Sequence, residues 1–205
     1  MNYDTLATQD MIDTLVKNAP EKGYEVLVVE TGAEALAKIK ELIPAGATVM
    51  NGSSTTLDQI GYINYLKSGT HPWINPKDAI LNETDKAKQT ELRKRSVVSD
   101  WYLGSVHGIA ETGEMIWGSA SGSQLPHIAF TSQNLIFVAG THKIVPTLTD
   151  ALQRMHEYVI PLEDKRMKST GAPGTKLNKT LIWHGDAAFL GRKNLLILVK
   201  EKLGF

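Results

Sequence analysis

Apolar and polar positions recur along this chain with two periods, and the switches between them mark its elements. Over residues 4–18, Leu6, Met11, Leu15 and Val16 leave an apolar stripe of helical character, punctuated at its end by Pro20 and Gly23. YEVLVVE (24–30) is a run rich in β-branched residues that predicts a buried strand. Thr31-Gly32-Ala33-Glu34 has capping-box spacing and predicts a helix to about Ile43. Its apolar positions Ala35, Leu36, Ile39, Leu42 and Ile43 fall at helical intervals, and Pro44 and Gly46 stop it. ATVM (47–50) predicts a second strand, after which Thr55 or Thr56 opens a helix carrying Leu57, Ile60 and Ile63.

Further along, HPWINP (71–76) predicts an extended connection and 77–98 a polar, exposed helix anchored by Ile80, Leu81, Leu92, Val97 and Val98. WYLGSVHGIAETGEMIW (101–117) predicts two strands around the turn Glu111-Thr112-Gly113-Glu114. LIFVAG (135–140) predicts the central strand, Thr147–Tyr158 the helix after it, and KSTGAPGTK (168–176) a loop. TLIWH (180–184) and NLLILVKE (194–201) predict closing strands. This alternation of strand and helix predicts an α/β fold: a mostly parallel sheet with flanking helices. The expected organisation is one domain over 1–205, with 1–23 as a helical extension packed on it.

Composition narrows the picture. A chain of 205 residues buries a sizeable core without disulfides or metal staples. Lys plus Arg equals Asp plus Glu at 22 each, so no overall field draws it to nucleic acid or a membrane surface. The charge is uneven, with 4 basic and 9 acidic side chains in 1–60 against 9 basic and 4 acidic in 163–205. Cysteine is absent, which excludes a thiol nucleophile and a self-contained iron–sulfur cluster, so no intrinsic cofactor is expected. The six histidines show no metal-binding spacing, and no metal site is expected. The start MNYDTLATQD has no secretory pattern, and no apolar run approaches the ~20 residues that span a bilayer, so a cytoplasmic location is the expectation.

Three segments carry candidate chemistry. Asn51, Gly52, Ser53, Ser54, Thr55 and Thr56 join a strand end to a helix start, where unpaired N–H groups and hydroxyls suit a phosphate or carboxylate. Ser54 or Thr55 is equally suited to plain helix capping there. GSVHGIAETGEMIWGSASGSQLP (104–126) offers Gly104, His107, Ser119, Ser121, Gly122, Ser123 and Gln124 as ligand contacts. Its Glu111, and after it Glu114, are candidate acid/base carboxylates, or solvated residues of a hairpin turn. AGTHKIVP (139–146) places Lys143 at another strand end, as a charge partner for an anion or as a surface lysine.

These segments, with VAGTHKIVPTLTDALQRMHEYVIPLEDKRM and the terminal LLILVKEKLGF, together resemble the LUD-domain family, which includes the lactate utilisation protein C group. The resemblance implies a fold like that of ribose-5-phosphate isomerase, glucosamine-6-phosphate deaminase and the coenzyme A transferases. It implies a ligand-cradling role for Gly52–Thr56, an acid/base role for Glu111, a second wall from Ser119–Gln124 and a charge role for Lys143. Some relatives carry cysteines in the C-terminal third, where this chain reads GAPGTKLNKTLIW. Two functional readings follow. One is a site for a small anionic metabolite in L-lactate or organic-acid metabolism. The other is a non-catalytic subunit docked on redox partners of an iron–sulfur lactate-oxidising complex through apolar surface near Trp101 or Trp117, with a homo-oligomer also compatible.

Overall fold

A computed structural model describes residues 2–205. The chain begins with α1 (Gln9–Asn18), whose first turn is capped by the Thr8 hydroxyl accepting from the Met11 N–H. Strand β1 (Glu25–Val29) leads into α2 (Gly32–Leu42), capped by Thr31, and then into β2 (Val49–Asn51). The next helical stretch is two short pieces, α3 (Thr55–Gln59) and α4 (Tyr62–Lys67), because Gly61 between them takes φ +83. The polar stretch expected as one helix also divides, into α5 (Pro76–Asn82) and α6 (Lys86–Arg95). Asp85 starts the second piece by accepting from the Ala87 and Lys88 N–H groups.

The segment expected as one hairpin holds three strands: β3 (Trp101–Gly104), β4 (Gly108–Ala110) and β5 (Met115–Ser119). Strand β6 (Asn134–Gly140) and the short β7 (Ile144–Val145) follow. Then comes α7 (Leu148–Arg154), opened by a capping box between Thr147 and Asp150. It does not end at Tyr158. A π turn over Met155–Val159 carries it into α8 (Ile160–Ser169) just where Pro161 removes a backbone donor. Strands β8 (Lys179–Trp183) and β9 (Lys193–Val199) complete the chain.

The strands form two sheets. One is all-parallel, in the order β1-β9-β6-β3-β2. The other has the order β7-β4-β5-β8 and is mixed, with β4 antiparallel to β5 and β5 to β8. Strand β9 therefore does not close an edge: its apolar run lies between β1 and β6, where a strand of a parallel sheet is covered on both faces.

Alternation along the parallel strands separates two cores. Leu103, Ile136, Val138, Ile197 and Val199 pack with Ala35 and Ile39 of α2, Leu57 of α3 and Leu66 of α4. Their neighbours Tyr102, Leu135, Phe137, Leu196 and Leu198 face the mixed sheet and Ile12 and Leu15 of α1. A third cluster, including Ile116, Ala151, Met155 and Tyr3, covers the far side of the mixed sheet. Trp117, expected near a docking surface, is 2% exposed and lies between Phe137 and Trp183, so it serves the core instead. Among the described residues, no helix is long and apolar enough to cross a membrane.

Candidate functional site

The carboxyl ends of β2, β3 and β6 converge with the carboxyl end of β5 on a cleft of about 350 Å³. Strand ends of a parallel sheet are where chain reversals leave room for ligands. The floor and one wall come from Gly52–Thr56, Gly104, Ser105, His107 and Lys143; Gly118–Ser121, Ser123 and Gln124 form the facing wall. The remaining side comes from α8 and the loop after it (Glu163, Arg166, Met167, Thr175, Lys176) and from Gly204 and Phe205.

In the loop after β2, Ser54 is the N-cap of α3, its Oγ accepting from the Leu57 N–H at 3.2 Å. Thr56 is turned the other way. Its hydroxyl lies 3.2 Å from Ser105 Oγ and 3.2 Å from Lys143 Nζ. Gly52 and Gly104 are small for the sake of Tyr102: a Cβ at Gly52 would fall 2.7 Å from the phenol oxygen, and one at Gly104 3.0 Å from the ring. Lys77, which sequence reasoning missed, braces the loop by donating to the carbonyls of Asn51 (3.3 Å) and Gly52 (3.4 Å).

Lys143 is 2% exposed. Its Nζ contacts Ser105 Oγ at 3.0 Å, Thr56 Oγ1 at 3.2 Å and the Val106 carbonyl at 3.2 Å, and it forms no ion pair among the described residues. Burial, and after it the nearby Arg154 guanidinium, holds its amine well below the usual lysine range. Arg154 is wholly buried, donates to the His107 carbonyl and lies over the Tyr158 ring. Burial brings its pKa down to about 10 against the opposing effects of Tyr158, Tyr3 and Asp4. His107 accepts the Gly118 N–H on Nδ1 at 2.7 Å, which places the proton of the neutral ring on Nε2. Burial, then Lys143 and Arg154, lowers its pKa to about 3.

At the rim, Arg166 clamps Glu163 through two bonds of 2.6 and 2.7 Å, and Asp164 accepts from the Thr175 N–H, tying the loop to α8. Lys176 forms no ion pair among the described residues. The lining thus carries three basic side chains, Lys143, Arg166 and Lys176, of which Arg166 is paired with Glu163.

Of the residues expected from sequence, Gly52, Ser53, Ser54, Thr55, Thr56, Gly104, His107, Ser119, Ser121, Ser123, Gln124 and Lys143 line this cleft. Asn51 and Gly122 do not. Asn51 is buried with its amide on the Gly52 carbonyl, and Gly122 spends its N–H on Ser119 Oγ in a φ +84 turn. Glu111 and Glu114 require a correction. The turn that carries them is at the opposite end of β5 from Gly118 and Ser119, against the start of the chain. The Glu111 carbonyl accepts from Asn18 Nδ2, and its N–H donates to Val145. Glu114 pairs with Lys22 at 2.7 Å. Burial raises its pKa, but the bonds from Lys22 and Thr112 outweigh that and hold it below the usual value. Neither carboxylate reaches a ligand in the cleft.

The LUD domain profile matches residues 12–176. The chain belongs to the LUD-domain family. The family is associated with lactate utilisation. This LUD domain resembles a DUF162 family protein from Deinococcus radiodurans, with a TM-score of 0.55 and 13% identity over 95% of this chain and 99% of that one. Ribose 5-phosphate isomerase A from Methanocaldococcus jannaschii matches 68% of this chain and 66% of its own, at 12% identity and a TM-score of 0.36. No curated protein matches the sequence. The whole lining of the LUD cleft up to Lys176 lies within the matched range; Gly204 and Phe205 lie beyond it.

Proposed function

We propose that this LUD domain binds a small anionic metabolite, a carboxylate or phosphate of organic-acid metabolism, in the cleft at the strand ends. The observation that carries this reading is Lys143, a buried amine with no carboxylate partner among the described residues, whose tip meets the hydroxyls of two lining residues. Burying an unpaired amine is costly, and an apolar side chain of similar length would fill the space more cheaply. An anion beside Lys143 raises the proton affinity of the amine and converts that cost into attraction. Lys176 adds positive charge at the rim, where Arg166 is already paired with Glu163, and the serines and threonines supply donors that suit carboxylate or phosphate oxygens. The cleft volume suits a metabolite of a few to a dozen heavy atoms better than a macromolecule.

A thermal-shift panel of lactate, pyruvate, inorganic phosphate, sugar phosphates and coenzyme A esters tests this. A ligand at 100 times its dissociation constant adds about 2.7 kcal/mol, which raises the midpoint of a domain of this size by roughly 5–10 °C. The expected result is a rise for at least one anion that is lost in Lys143→Met and reduced in Lys176→Ala. No shift across the panel, or a shift indifferent to Lys143→Met, overturns the reading.

A further inference from the structure

The environment of the buried Lys143 differs from that of the half-buried Lys77 in a way that bears on chemistry. Lys77 donates to two main-chain carbonyls, which only accept, and its carbonyl partners suit a cation that braces a loop. Lys143 meets one carbonyl and two hydroxyls. A hydroxyl turns its proton either way, accepting from an ammonium or donating to the lone pair of a neutral amine. The pocket around Nζ is therefore satisfied in both protonation states. It also opens on the ligand side, because Thr56, Ser105 and Lys143 all line the cleft. Gly204, also on the lining, comes close to the amine: a Cβ there would fall 3.1 Å from Nζ and 2.3 Å from Thr56 Oγ1.

We propose that Lys143 is an amine nucleophile that condenses with the carbonyl carbon of a small oxo acid held in the cleft. This rests on the anion-binding reading, since the carboxylate of the oxo acid is what the cations of the lining would hold. The Nζ lone pair attacks the carbonyl carbon, and the carbonyl π pair moves to its oxygen, which takes up a proton. The resulting carbinolamine expels that oxygen as water while the nitrogen lone pair forms the C=N bond. One amine, one carbonyl and one proton give one protonated imine and one water, with no change in oxidation state. The Ser105 hydroxyl, 3.0 Å from Nζ, is placed to pass the proton, and the Nε2–H of His107 is a second donor on the lining. Burial lowers the amine well below the usual lysine range and so enlarges the share of the unprotonated form, the form that attacks. The protonated imine then leaves a positive nitrogen beside the carboxylate of the ligand.

Borohydride trapping with mass spectrometry tests this on the full chain. The probes are pyruvate, an oxo acid, and glycolaldehyde, a neutral carbonyl; lactate, which has no carbonyl, serves as competitor. With pyruvate and borohydride at neutral pH, the expected product is about one reduced pyruvyl group per chain, mapped to Lys143 at least tenfold above the exposed lysines. Lactate suppresses the labelling, and Lys143→Arg, which keeps a long basic side chain but cannot form an imine, loses it. Labelling confined to exposed lysines such as Lys176 overturns the proposal. Pyruvate that shifts the midpoint but leaves no adduct on Lys143 also overturns it, and leaves the anion reading standing. Glycolaldehyde labelling of Lys143 with no anion shifting the midpoint supports the nucleophile and removes the anion site.

Discussion

Acidification from pH 6.5 towards 4 unfolds this protein, and three enclosed histidines are the main cause. Burial, with help from nearby cations, lowers His107 to about 3 and His142 to about 3, and burial alone lowers His127 to about 4. His142 has no partner on either ring nitrogen among the described residues; Lys143, Arg154 and Lys202 repel its charged form while Asp4 alone favours it. His127 stacks on Tyr102 at 4.7 Å and shares a bond with Ser132. In the unfolded chain each ring takes its proton near pH 6.5, whereas the native rings stay neutral down to the values above. The contribution of these three rings is therefore complete above about pH 6.5 and falls as the pH drops towards 4. With three such groups the slope approaches about 4 kcal/mol per pH unit. The three rings together remove about 6 kcal/mol by pH 5 and about 10 kcal/mol by pH 4, so a domain in the middle of the usual range of roughly 5–15 kcal/mol has its midpoint between about pH 4 and 5. Circular dichroism against pH measures it, and His127→Phe flattens the slope by about a third. A midpoint below about pH 3.5, with stability flat above it, contradicts this.

Gly140→Ala damages both fold and site. A Cβ at this position would fall 2.3 Å from the Glu201 carbonyl oxygen and 2.8 Å from the Leu203 nitrogen, backbone atoms that cannot rotate aside. Relief requires residues 201–203 to move. That segment seats Leu203 in the core beside α3 and gives its carbonyl to the Thr56 hydroxyl. Gly204, next in line, donates to Gln59 and covers Lys143. The expected cost is about 2–4 kcal/mol, or a midpoint roughly 5–15 °C lower, with faster hydrogen exchange over 201–205 and weaker binding in the cleft. Gly185→Ala is the control. Its nearest contact is 3.6 Å, and its φ lies outside the left-handed range, so no comparable loss is expected. Equal midpoints for the two variants would contradict the clash.

The parts of this architecture that periodicity encodes were legible in the sequence. The β1–α2–β2 unit and β6 follow from β-branched runs, a capping threonine and helical spacing, all local signals. The parts that depend on which end of an element meets which neighbour were not. The hairpin turn at 111–114 is recognisable from its residues, but nothing local says that it lies at the far end of β5 from the cleft. The same holds for β9, whose apolar run fits an edge or an interior equally until its partners β1 and β6 are known. Arg154 looks like an ordinary surface residue of an amphipathic helix, and only the Tyr3 and Tyr158 rings packed around it reveal its burial. Arg166, Lys176 and Gly204 reach the cleft from segments distant in sequence, with no motif among them to signal the meeting. The lysine at 143 was legible as a strand-end cation; its seclusion was not.

The central claim is that Lys143 meets an anion in the cleft, and isothermal titration calorimetry tests it most directly. Pyruvate, lactate and inorganic phosphate are each titrated at pH 7.5 in two buffers of different ionisation enthalpy, into wild type and Lys143→Met. Burial lowers the proton affinity of this amine and an anion beside it raises it again, so binding of an anion there is accompanied by net proton uptake. The account predicts saturable binding of at least one of these anions by wild type, with that proton uptake, and neither in Lys143→Met. Binding without proton uptake, equal affinity in Lys143→Met, or no binding of any of the three would contradict it.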